Sequence, residues 1–396
     1  MVIMTHYNAK GDWRRINVTF ATVSDIRIGG GAENVLYEFV KRAPSSKFDI
    51  TVFQTSKIDK IRMDPGKFEE IRERATLVSV PAYEQYIHKL ANSPASILLG
   101  GPFLTPLLYH LLRLTKYKEA IRKVRESDII YLFDNGMLPF FAQSKSLIIG
   151  TNHAEFKDRS LMNRIDIKLI GNRLKHRRID GFHLYPANAD LATQLNKKMY
   201  IVLPNGIDTR KFVSESPVTD DVTKFLFVSR LEPCKGVLRL LEAWSAFRKT
   251  KQAELHIVGD GTARKSVEEL ATDNVIYHGI LVEKDLISLY QSSDVFVFPT
   301  ECDAFGIVVL EALATGMNAI VSENLKGVFD WFESKGVLEY TDNFSNSIRD
   351  KIKSYIDSKF KKQPSSQVNQ YIQSNFSWDV IASKLYTEFE RIVNRK

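Results

Sequence analysis

Two carboxylates and two cations sit on strand-to-helix turns in the second half of the chain. In Pro299-Thr300-Glu301-Cys302-Asp303-Ala304-Phe305-Gly306-Ile307, a buried-strand run at Val295 to Phe298 leads into a turn. A helix beginning near Gly306 aims unpaired backbone N–H groups at any anion above that turn. Asp303 precedes the helix and Glu311 lies within it. The two acids can therefore face one ligand with hydroxyls at one end and negative charge in its middle. Upstream, Phe225 to Gly236 again reads as strand, turn and helix, with Arg230 and Lys235 in the turn. The Arg fork matches phosphate oxygens, and the carboxyl ends of strands are where open α/β sheets bind ligands. A nucleotide sugar has these features. The structural alternative is a helix cap at Asp303, a surface glutamate at Glu311 and a solvated basic turn.

Weaker candidates lie in the first half. After a strand at Ile16 to Ala21, the turn Gly29-Gly30-Gly31 opens a helix from Ala32 to about Lys41. Three glycines let backbone approach a ligand and leave helix N–H groups free for an anion. The run is not Gly-x-Gly-x-x-Gly, and the acidic residue expected after the second strand is missing, which disfavours a nicotinamide enzyme. His153 in Thr151-Asn152-His153 stands just past a predicted strand end, where Glu155 and Asp134-Asn135-Gly136 also arrive. A lone histidine is more often structural than catalytic.

Short apolar β-branched runs alternate with helical patterns throughout, as parallel sheets covered by helices require. Expected strands are 16–21, 49–53, 77–80, 129–133, 147–150, 181–185 and 200–203, then 224–229, 254–258, 275–278, 295–299 and 319–322. A turn at Asn205-Gly206 followed by a polar stretch separates the sets. The organisation expected is a flexible leader over 1–15, a Rossmann-like domain over 16–204, a second over 205–376, and a final helix over 377–396 packing back on the first. The helix expectation rests on the apolar stripe Trp378, Ile381, Leu385, Tyr386, Phe389 and Ile392.

The chain has 396 residues, 44% hydrophobic and 26% charged, with a net charge of +8. Length gives about two domains, and composition a soluble globular protein. The positive balance points to anionic partners. Cys234 and Cys302 are far apart and match no metal-ligand spacing, so a reduced intracellular protein is expected. The polar start lacks the apolar core of a signal peptide. Residues 91–112 carry no charged side chain, but Pro94, Gly100, Gly101, Pro102 and Pro106 argue against a spanning helix. Residues 157–178 form a basic amphipathic pattern suited to a membrane surface or to packing on their own sheet. Nucleic acid is disfavoured, because aromatic stacking platforms are not interleaved with the cations.

Taken in order, these pieces resemble a family 4 retaining glycosyltransferase of GT-B fold. The likeness is carried by Gly30 to Glu33, Thr151-x-His153, Pro204 to Asp208, Arg230 to Gly236 and Val258 to Gly261. It continues through Tyr277 to Gly279, Phe305 to Ala312 and Phe376 to Trp378. The resemblance implies two Rossmann-like domains whose parallel sheets face an interdomain cleft. It implies transfer of a sugar from a UDP- or GDP-hexose, with no cofactor beyond the donor, to a saccharide or lipid-linked acceptor. Arg230 and Lys235 would hold the diphosphate and Glu311 the ribose diol, with Asp303, or Glu301, on the transferred sugar. Phe305, Gly306, Ile307 and Gly259 would complete the donor site. His153 would touch the sugar, and Gly29, Gly30 and Gly31 the phosphates or acceptor. Asp303 stands where the family commonly has Glu. No Asp-x-Asp occurs in the chain, so no metal bridging the diphosphate is expected. The place expected is the cytoplasm, peripheral at the membrane face. The alternatives are a nucleotide-sugar epimerase, which needs no acceptor, and a non-catalytic nucleotide-sugar-binding subunit.

Overall fold

The computed structural model describes residues 14–22, 25–55, 61, 63–80, 118–133, 141, 144–151, 180–185, 200–213, 221–271, 273–303 and 305–395. His153, Glu155, Asp134-Asn135-Gly136, the uncharged stretch 91–112 and the basic stretch 157–178 lie outside them. The chain divides into one unit of residues 1–184, 189–203 and 382–396, and a second of 185–188 and 204–381.

The first unit holds a parallel sheet of seven described strands: β1 (Ile16–Thr22), β2 (Phe48–Gln54), β3 (Ala75–Ser79), β4 (Ile129–Leu132), β5 (Leu147–Thr151), β6 (Gly181–Leu184) and β7 (Tyr200–Val202). Their order is β3-β2-β1-β4-β5-β6-β7. Near-continuous apolar runs form the central strands because helices cover both faces of such a sheet, and Val18, Phe20 and Ala21 are fully buried. Its helices include α1 (Gly31–Lys41), α2 (Pro65–Arg74) and α3 (Lys118–Arg125). Helix α1 buries Val35, Leu36, Phe39 and Val40.

The second unit has six described strands in the order β10-β9-β8-β11-β12-β13, all parallel. They are β8 (Thr223–Val228), β9 (Ala253–Val258), β10 (Val275–Gly279), β11 (Val295–Phe298), β12 (Asn318–Ser322) and β13 (Leu338–Thr341). Its helices are α4 (Val237–Trp244), α5 (Arg264–Leu270), α6 (Glu283–Ser292), α7 (Ile307–Ala314), α8 (Asp330–Ser334), α9 (Ser345–Asp357) and α10 (Ser366–Phe376). Strand β13 escapes the sequence reading: it is four residues long and Glu339 interrupts its apolar run.

The chain crosses from the second unit to the first along α11 (Trp378–Asn394). Within the first unit, the Tyr386 ring lies 4.8 Å from Phe48 and its hydroxyl donates to the Phe39 carbonyl at 2.8 Å. No helix among the described residues is long and apolar enough to cross a membrane.

Both sheets reverse direction once. In the second, the chain lays β9 and β10 on one side of β8, then returns to place β11 on the other. The loops leaving β8 and β11 stand side by side there, at the carboxyl ends of two neighbouring strands, the place where open α/β sheets bind ligands. In the first sheet the equivalent point lies between β1 and β4.

Candidate functional site

The β8 turn carries Arg230 and Lys235, and the β11 turn carries Glu301 and Asp303. Strands separated by about seventy residues in sequence are adjacent in the sheet, so the four side chains share one edge. Gly236 adopts φ +87°, and a Cβ there would lie 2.1 Å from the Pro299 carbonyl oxygen, so only glycine allows the β8 turn to press against the β11 turn. Gly259 plays the same part for the β9 turn: at φ +137° its Cβ would lie 1.8 Å from the Ser229 oxygen. Its N–H donates to the Gly279 carbonyl at 2.8 Å, and its own carbonyl accepts from Tyr277 Oη at 3.0 Å. Gly236→Ala is therefore expected to lower thermal stability by roughly 2 kcal/mol or more, from the left-handed backbone and the clash together. A melting curve checks this, and an unchanged midpoint would refute the close approach.

Lys235 is almost wholly buried, with its ammonium held between the Cys302 carbonyl at 3.0 Å and Asp303 Oδ2 at 2.8 Å. An ammonium has three donors, so one remains for a ligand. Arg230 is exposed and forms no ion pair among the described residues. Asp303 works mainly as an organiser. Its Oδ1 accepts from the Phe305 and Gly306 N–H groups at 3.0 and 2.7 Å, capping the turn before α7, while Oδ2 fixes Lys235. Of about four acceptor positions on a carboxylate, one is left over. Glu301 is exposed and paired with Arg239 at 3.0 Å. The Phe305 ring is buried in the core, 5.7 Å from Tyr185, so it anchors the turn and does not present its ring to a ligand. Gly306, at φ +76°, starts α7, whose first-turn N–H groups at Ile307 and Val308 have no acceptor within the helix.

Glu311 faces Tyr290 of α6, whose hydroxyl donates to Glu311 Oε2 at 2.9 Å. Burial pushes the Glu311 carboxyl up to about 7, against the opposing effect of the Tyr290 hydrogen bond and with a further push from Glu283. Burial also holds the Tyr290 hydroxyl well above its ordinary range, so it stays a donor. Tyr290 and Arg239 are partners that the motif reading missed. Each reaches the site from the helix of a neighbouring turn, and only strand order reveals that. Among the described residues, no group of three or more His, Cys, Asp and Glu side chains could hold a metal ion.

The expectation of free, reduced cysteines is overturned: Cys234 and Cys302 form a disulfide with Cα atoms 5.6 Å apart. Their 68-residue separation hides that they stand on the two turns flanking the reversal point.

In the first unit, Asp25 organises the glycine turn. It accepts from Arg27 N at 2.9 Å and from Gln54 Nε2 at 3.1 Å, and its hydrogen bonds with the Arg27 guanidinium, against desolvation and helped by its charge, raise that group above its ordinary value. Gly29 has φ +68° and Gly30 caps α1, whose Glu33 folds back over its own helix start. Gly31 is exposed, and among the described residues no atom beyond its chain neighbours and its own helix backbone lies within 4 Å of where its Cβ would be. His153 falls outside the described residues.

The stretch containing every one of these second-unit carboxylates and cations has known relatives. Residues 208–372 match the family described as glycosyl transferases group 1. An uncharacterized glycosyltransferase of Methanocaldococcus jannaschii is 30% identical over 174 residues, 42% of this chain and 44% of that protein. The lipopolysaccharide 1,2-N-acetylglucosaminetransferase of Salmonella typhimurium is 26% identical over 185 residues, 42% of this chain and 48% of that one. The chain thus spans about half the length of the curated relatives it matches. The crystal structure of Anabaena HepE in complex with UDP and glucose superposes with a TM-score of 0.68 over 95% of this chain and 99% of that one, at 16% identity. At that identity the likeness establishes the fold, two parallel-sheet α/β units of GT-B type.

Proposed function

We propose that the protein is a retaining glycosyltransferase that moves a hexose from a UDP- or GDP-sugar to an acceptor. The observation that carries this reading is an exposed Arg230, with no ion pair among the described residues, on the same turn as the buried Lys235, which meets Asp303 just before α7 at the sheet's reversal point. Supporting it are the match of residues 208–372 and the relatives named above.

Breaking the sugar–phosphate bond leaves charge on the departing nucleoside diphosphate. Arg230, the spare N–H of Lys235 and the first-turn amides of α7 supply positive potential for it. At 4 Å, one such cation attracts an oxyanion by about 4 kcal/mol at an effective dielectric near 20. Because protein groups carry this charge, we assign a reaction independent of divalent metal and of any cofactor. Glu311, once ionised, accepts from the ribose diol, and the remaining acceptor position of Asp303 takes a hydroxyl of the transferred sugar. Glu301 is drawn off by Arg239, which favours Asp303 for that contact. We assign the acceptor to the first unit, with Gly29 to Gly31 as candidate contacts to it or to the phosphates, and His153 as a contact to the transferred sugar. A lipid-linked acceptor and a peripheral place at the cytoplasmic membrane face rest on the sequence of 91–112 and 157–178. Binding to anionic vesicles at low salt supports them, and its absence removes their support.

The test screens UDP-, GDP- and ADP-sugars for thermal stabilisation, then follows release of the nucleoside diphosphate with and without acceptor. Turnover that needs acceptor and persists in a chelator is expected, with the anomeric configuration retained in the product by NMR. Conversion of the donor without acceptor would indicate an epimerase. Binding without turnover against any acceptor would indicate a non-catalytic subunit.

A further inference from the structure

Each cysteine immediately precedes a cradle residue: Cys234 stands before Lys235, and Cys302 before Asp303. The bond between them therefore crosses the reversal point at the place where the Lys235 ammonium meets Asp303. Lighter links follow the same seam. The Glu301 N–H donates to the Cys234 carbonyl at 2.8 Å, and Lys235 Nζ donates to the Cys302 carbonyl. Cys234 is exposed and Cys302 half-buried, so a thiolate in solution reaches the bond. Closing a loop of this length by a surface-accessible disulfide is not needed to build the core, because β8 and β11 are already paired through their backbones and buried side chains.

We infer that Cys234–Cys302 is a redox-sensitive clamp that holds the diphosphate cradle in its binding geometry, an inference that rests on the donor-site reading above. The reductant is a dithiol. One of its thiolates attacks one protein sulfur, breaking the S–S bond and forming a mixed disulfide while the other sulfur leaves as thiolate. The second thiol of the reductant resolves the intermediate. The protein gains two electrons and two protons, and the reductant ends as a disulfide. After the exchange, the 301–303 segment is held against the β8 turn and its helix by non-covalent links, the hydrogen bonds and the ion pairs Lys235–Asp303 and Arg239–Glu301. Ordering Lys235 and Asp303 must then accompany diphosphate binding, which weakens affinity.

The experiment uses the full chain and two probes, UDP and GDP. Affinity is measured by calorimetry before reduction, after dithiothreitol, and after reoxidation, with thiols counted by alkylation and mass spectrometry at each stage. We expect whichever nucleotide binds to lose roughly 5- to 20-fold in affinity on reduction and to regain it on reoxidation. The Cys234→Ser, Cys302→Ser double variant should match the reduced protein and ignore the reductant. If that variant does not fold, the reversible cycle on the unaltered protein still decides. Equal affinity with two thiols alkylated overturns the clamp while leaving the donor site standing. Unfolding on reduction overturns it in favour of a purely structural bond. Failure of both nucleotides to bind the oxidised protein overturns the donor-site reading and the clamp together.

Discussion

Arg230→Ala is expected to lower turnover roughly 100- to 1,000-fold while leaving the melting temperature unchanged. The two halves of that result have separate causes. The side chain is exposed and holds no ion pair among the described residues, so truncation breaks no ion pair among them and uncovers little buried surface. A charge poised over the departing diphosphate acts most strongly as negative charge develops, so its loss is felt in the reaction barrier more than in ground-state binding. Parallel steady-state kinetics and calorimetric scans check this. Normal turnover would show that the cation is part of a solvated turn, and a fall in melting temperature comparable to the loss of activity would make it structural.

Glu311→Gln separates binding from stability in the opposite direction. The amide oxygen still accepts from Tyr290, but it cannot offer a charged carboxylate to a diol, so donor affinity should fall roughly 10- to 100-fold. The unmodified protein should bind donor better as pH rises through about 7, where the Glu311 carboxyl ionises, and the variant should lose that dependence. Stability moves the other way. Below the ordinary carboxyl range both folded and unfolded chains hold the proton. Between that range and about 7 the folded chain keeps a proton that the unfolded chain has released, so stability falls as pH rises across the window. The variant escapes this loss and should melt higher than the parent above pH 7. A variant that binds donor normally at pH 8 would remove Glu311 from the site.

Much of this arrangement was legible in the sequence because it is local. The strand, turn and helix around Arg230 and around Asp303 each announce themselves through a buried apolar run, a glycine and a helical pattern. Asp303 illustrates the limit of that legibility. The same residue satisfies both the bland expectation of a cap and the sharper one of a site carboxylate, since one oxygen caps the α7 turn and the other fixes Lys235. What the sequence concealed is long-range. Cys234 and Cys302 looked unrelated because their proximity depends on β8 and β11 being neighbours. Tyr290 drew no notice in the sequence because its hydroxyl partner, Glu311, arrives from α7. Phe305 belonged to the motif by position, yet serves the core.

The central claim is that a diphosphate rests on Arg230 and Lys235 at the reversal point of the second sheet. A crystal of the oxidised protein soaked with UDP or GDP tests it most directly. Phosphate oxygens within about 2.7–3.2 Å of the Arg230 guanidinium and Lys235 Nζ, facing the first turn of α7, are the predicted result. Nucleotide bound elsewhere in the second unit, with both cations turned away from it, would contradict the account.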